Sequence, residues 1–203
     1  MNETWQMYVT FALLAFAIAP GRKAARPAQL ALLVGFCALA FLPISSLSLA
    51  AWLRTYIEDL AITSVLLLGW VGLVRLRLVR PMSQVRRWQI FATFSALALF
   101  LYPATLGLTY FDPYRLGYAA GPLLAALALI TLCLWLLGNT FGVALLVLAT
   151  LAYAFSIKPS GNYWDYLLDP FLALYCWGAL LSGLKQHWTT KGACTNLAIK
   201  TAP

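Results

Sequence analysis

A chain of 203 residues that is 63% hydrophobic and 10% charged, with a net charge of +8, is too apolar for a water-soluble domain. Its mean hydropathy of +0.81 predicts an all-α integral membrane protein of repeated spans. The basic surplus, which in a soluble protein would suggest nucleic acid, is read here as topogenic.

Residues 1–19 end on Ala17-Ile18-Ala19, which has the form of a signal-cleavage site, but no positive charge precedes the apolar run and Pro20 follows it. An uncleaved first span over about residues 5–19 is expected, stopped by Pro20-Gly21 and followed by Arg22, Lys23 and Arg26. A second span, about 28–42, stops near Pro43. Residues 44–56, with Ser45, Ser46, Ser48, Trp52 and Arg54, suit a short interfacial helix or turn. A third span covers about 57–74 and leads to the most basic loop, with Arg75, Arg77, Arg80, Arg86 and Arg87 expected to snorkel from the membrane edge. Spans four, five and six are expected over about 89–109, 116–137 and 141–157, the last two joined by the turn Gly138-Asn139-Thr140.

The stretch from Asn162 to Tyr175 organises the rest. The apolar run after it, 171–184, reaches only about 21 Å, so a seventh span must begin near Asp165. That would put Asp165 and Asp169 one turn apart on one helix face at the membrane edge. The membrane domain is expected over 1–184, with a polar cytoplasmic tail over 185–203.

Charge counting tests this plan independently of hydropathy. With the N-terminus outside, the inner segments hold 11 of the 14 basic residues and no carboxylate. The positive-inside rule therefore fits seven spans with the C-terminus in the cytoplasm. Small size and a compact loop plan, without eukaryotic sorting features, point to a bacterial-type inner membrane. All six carboxylates, Glu3, Glu58, Asp59, Asp112, Asp165 and Asp169, fall outside with Arg54, Arg115 and Lys158.

The candidate site is that outer cluster: Arg54, Glu58, Asp59, Asp112, Arg115, Trp164, Asp165 and Asp169, amid Tyr110, Tyr114, Tyr118, Tyr163 and Tyr166. Carboxylates near a low dielectric can bind a cation or amine, share a proton, or act as acid and base, and aromatic faces suit cations and sugars. Each has a local alternative. Asp112-Pro113 and Asp169-Pro170 are also the pattern of a helix N-cap, although with the neighbouring Tyr-Phe-Asp and Tyr-Trp-Asp they hint at related hairpins. Arg54 and Glu58 are spaced for an i,i+4 salt bridge, and the aromatic residues for an interfacial belt. Asp59 and Asp165 have the weakest local explanations, with Arg115 as their expected counter-charge. Gly117, Gly121 and Ala125 form a small-residue face expected to pack span five on a neighbour.

Cys37, Cys133, Cys176 and Cys194 form no C-x-x-C pair, and the only histidine, His187, lies in the tail. No disulfide framework, metal site or cofactor is expected. No nucleotide-binding glycine motif occurs, so no nucleotide is expected as a partner, and with the basic surplus read as topogenic no nucleic acid is expected either. The expected partners are the bilayer and another membrane protein. Three functions are ranked: a non-catalytic accessory or scaffold subunit of an envelope-assembly or membrane complex, a small transporter of a cation, proton or amine, and an aspartate-dependent intramembrane enzyme on lipid-linked substrates.

Overall fold

The computed structural model describes residues 5–183 and Lys185, and their regular structure is almost all α-helix. Glu3 and the expected tail, with His187, Lys191, Cys194 and Lys200, lie outside the described residues apart from Lys185. Seven apolar helices make the bundle: α1 (Trp5–Ile18), α2 (Arg26–Ala40), α4 (Ile62–Arg75), α5 (Gln84–Thr105), α6 (Gly121–Leu136), α7 (Thr140–Ala154) and α9 (Pro170–Gly183). Among the described residues α5 alone is long and apolar enough to cross a membrane, and the other six are shorter. Two small helices complete the set: α3 (Leu49–Ile57), where an interfacial element was expected, and α8 (Trp164–Leu167). A 3-10 helix, Pro113–Gly117, precedes α6, and a minimal hairpin pairs β1 (Pro43–Ile44) with β2 (Leu47–Ser48).

Hydrogen bonds between elements define two ends. At one, Gln6 of α1 donates to Leu60 O, Thr63 of α4 donates to Leu167 O, and Asn162 reaches Tyr114 O. At the other, Arg75 of α4 meets the last carbonyls of α1 and Gln29 of α2, while Asn139 before α7 donates to Arg86 O in α5. Helices α1, α4, α6 and α9 therefore run one way, and α2, α5 and α7 the other. The five described carboxylates gather at the first end. Arg22, Lys23, Arg26 and the five arginines from Arg75 to Arg87 sit at the second.

Four helices stop by one device. After α4, α5, α6 and α7 a residue with positive φ (Arg77, Gly107, Gly138 and Ser156) turns the chain. The next amide then bonds back five residues, as Leu78 does to Leu73, Leu108 to Pro103, Asn139 to Leu134 and Ile157 to Ala152. This Schellman closure satisfies carbonyls that a helix end would otherwise leave open.

The last helix departs from expectation. Instead of one helix from Asp165, the chain makes the single turn of α8, extends at Leu168 (φ −149°, ψ 137°) and restarts at Pro170. Proline disfavours a helical residue before it and cannot donate, so Asp169 becomes the cap of α9. Asp165 and Asp169 thus lie on different helices. The segment 158–169 folds inward, with Tyr163, Trp164, Tyr166 and Leu167 fully buried among α4, α5 and α7, and it anchors the main hydrophobic core.

Candidate functional site

At the acidic end a cleft of about 530 Å³ opens between the end of α3, the end of α5 and the segment 158–170. Arg54, Glu58, Asp59, Tyr102, Tyr114, Lys158, Ser160, Trp164, Asp165 and Asp169 carry its polar chemistry. Six of the eight residues expected at the site line it. Asp112 and Arg115 do not: they are exposed on the 3-10 helix, where Asp112 accepts from the Tyr114 amide at 3.0 Å as an N-cap.

Lys158 is the residue that sequence reasoning passed over. Only 6% exposed, it donates from Nζ to the carbonyls of Asp59 (3.0 Å), Leu60 (3.0 Å) and Asp165 (2.8 Å). It occupies the counter-charge position expected of Arg115. Burial pushes its ammonium below the ordinary lysine value, while Asp165, Asp59, Asp169 and Glu58 pull it back up. The Tyr166 hydroxyl holds the loop behind it, donating to Lys158 O at 2.7 Å.

The carboxylates divide by what already occupies their oxygens. Asp169 accepts from the amides of Ala61 (2.9 Å) and Leu172 (2.8 Å), which ties α4 to α9 and caps α9. Asp165 accepts from the Tyr114 hydroxyl at 3.2 Å and from the Ser160 hydroxyl. Its charge and the burial of the ring hold the Tyr114 phenol well above its ordinary pKa, burial being the larger cause. Asp59 pairs with Arg54 through Oδ2 at 2.6 Å, while its Oδ1 is buried with no hydrogen-bond partner. Glu58, which was spaced to pair with Arg54, instead leaves α3 at φ +54° and stays exposed at the rim. That turn hands Arg54 to the next residue.

Two more carboxylates than cations face the cleft, and both cations already have partners. The arrangement is therefore rich in acceptors and has the charge balance to take a cationic group, with Glu58 and Asp59 the least committed acceptors. Among the described residues no group of three His, Cys, Asp or Glu side chains could hold a metal ion.

The small-residue face expected of Gly117, Gly121 and Ala125 is divided. Gly117 lies in the 3-10 helix against Asn162 and Trp164, whereas Gly121 and Ala125 are exposed on α6. Gly117 thus serves the cleft: its missing side chain lets the segment 162–164 approach, and its carbonyl accepts from the Tyr163 amide at 3.0 Å.

Compared with protein families, with characterised proteins and with solved structures, the chain matches none.

Proposed function

We propose that this chain is a multi-pass protein of a bacterial-type inner membrane, crossing seven times with its N-terminus outside. In this reading it is a non-catalytic accessory subunit of an envelope-assembly or membrane complex, and its extracytoplasmic cleft receives a cationic group of a partner protein. One observation carries the reading: a cleft with surplus carboxylates at one end of an apolar bundle whose other end is ringed by arginine. Under the positive-inside rule the arginine end faces the cytoplasm, and the cleft faces out.

The test is photo-crosslinking in native membranes from Tyr118, which is exposed at the acidic end. The expected result is a crosslink to one larger membrane protein, lost in the double variant Glu58→Gln, Asp59→Asn at unchanged abundance. Full activity of the purified chain alone, with no crosslinked partner, would overturn it.

The transporter reading draws on the unpartnered buried hydroxyls of Thr10, Ser64 and Ser95 inside α1, α4 and α5, and on the helix break at Leu168 beside the cleft. Polar groups at that depth line pathways for ions and protons. The aspartate-dependent enzyme ranks third because Asp165 and Asp169 spend their oxygens on internal bonds.

A further inference from the structure

The helices share one length. Helices α2, α4, α6 and α7 have 15, 14, 16 and 15 residues, which at ~1.5 Å per residue is about 21–24 Å. Helix α5 has 22 residues, but Gln84, Arg86, Arg87 and Gln89 occupy its first turns, and from Ile90 onward it too measures about 24 Å. Ordinary bilayers have a hydrocarbon core of ~30 Å, and tilting a helix only lowers its height.

These helices turn their apolar residues outward: Leu30 and Val34 on α2, Leu129 and Leu136 on α6, Val147 and Leu151 on α7. Charge then limits the band at both ends. Arg26, Arg80, Arg86 and Arg87 are exposed on one side, and Glu58, Asp112 and Arg115 on the other. Such side chains sit at headgroup depth.

We propose that this surface fits a bilayer about 6–9 Å thinner than ordinary, so that the bundle thins the membrane around itself or resides where it is already thin. The proposal rests on the membrane reading above. Short hydrophobic spans are accommodated by lipid thinning at a cost that grows with each ångström of mismatch, which makes acyl-chain length the variable to change.

The experiment uses the whole chain in phosphatidylcholine vesicles with monounsaturated chains of about 14, 18 and 22 carbons, following denaturant unfolding by tryptophan fluorescence. The unfolding midpoint is expected to be highest in the shortest lipid and to fall with each lengthening. A midpoint that peaks in either longer lipid, or is the same in all three, overturns the thin-bilayer fit alone. An alkaline carbonate wash of native membranes separates the two ideas, because release of the protein would overturn the membrane reading and this one with it.

Discussion

The two ends of the bundle solve the same problem with a buried cation, and they differ in what remains afterwards. At the basic end Arg75, 8% exposed, donates to the carbonyls of Phe16, Ala19 (2.9 Å) and Pro20 (2.9 Å) and to Gln29 (2.7 Å). It closes the end of α1, where the helix dipole itself is the counter-charge, and no carboxylate is needed. At the acidic end Lys158 also binds three carbonyls, but it does so among four carboxylates, of which Asp59 alone is salt-bridged, to Arg54, so that two negative charges remain in surplus. One cation completes a joint; the other leaves a surplus facing a cleft. The proposed function therefore draws on the acidic end, and the basic end is a structural joint.

Removing each cation should separate the two roles, and these are the largest effects expected. Lys158→Met leaves three carbonyls without their donor and a cluster of carboxylates without a neighbouring cation, and should cost about 3 kcal/mol of unfolding free energy. Arg75→Met should cost about as much, because it strips the end of α1, yet leave crosslinking to the proposed partner intact in the fraction that folds. Denaturant titration with crosslinking on the same samples reads both quantities. Equal loss of binding per folded molecule in the two variants would break the contrast.

Next in size is a pair of glycines. A Cβ at Gly117 would lie 2.6 Å from Asn162 Cγ and 2.8 Å from Trp164 Cδ1, so Gly117→Ala must push the buried segment away, at about 1–3 kcal/mol. Nothing lies within 4 Å of the same atom at Gly121. Gly121→Ala should be neutral or stabilise α6 by up to about 0.5 kcal/mol. Similar destabilisation by both would mean that the face of α6 is packed after all.

Among the carboxylates, function and folding should come apart. Asp59→Asn keeps a polar group beside Arg54 but removes the charge of the least committed buried acceptor, so partner crosslinking should fall several-fold at constant abundance. Asp165→Asn removes the charged acceptor for the Tyr114 and Ser160 hydroxyls and should cost about 1–2 kcal/mol in stability. Quantitative immunoblotting of membranes checks the split: reduced abundance for Asp59→Asn and not for Asp165→Asn would reverse the roles.

What the sequence made legible, and what it hid, follows from where the partners lie. The two charged ends, the seven apolar helices and the Asp-Pro caps all have local or periodic signals, and Asp169-Pro170 even contains the reason the last helix breaks. Lys158 does not: its acceptors are backbone carbonyls of residues 59, 60 and 165, two of them almost one hundred positions away, and any residue type offers a carbonyl. Arg75 is hidden for the same reason among five clustered arginines. The swap of Arg54 from Glu58 to Asp59 depends on one positive φ, which helical spacing cannot foresee. Gly117 has the right spacing for a helix face but lies one element too early.

Titration should add a smaller effect. Lys158 is held below its ordinary value of 10.5, so between its folded value and 10.5 the unfolded chain binds the proton that the folded chain has lost. Stability then rises with pH across that window. Tyr114 acts with the opposite sign at higher pH, because its raised folded value keeps a proton that the unfolded phenol releases above about 10. Unfolding midpoints should climb as pH approaches 10.5 in the wild-type chain relative to Lys158→Met. A flat difference would mean that Lys158 keeps an ordinary affinity for its proton.

The smallest expected change tests the helix ends. Gly107 and Gly138 take the left-handed turn without a Cβ, whereas Ser156 takes it at φ +49° with one, at the end of α7 and two residues before Lys158. A Cβ in that conformation costs roughly 1–2 kcal/mol, and glycine gives part of that back through its freer unfolded chain. Ser156→Gly should therefore stabilise the protein by about 0.5–1 kcal/mol while leaving the cleft and its binding unchanged. Loss of binding at raised stability would show that the strain at Ser156 helps to set the position of Lys158, and the acidic end would then be a strained device and not simply a joint with surplus charge.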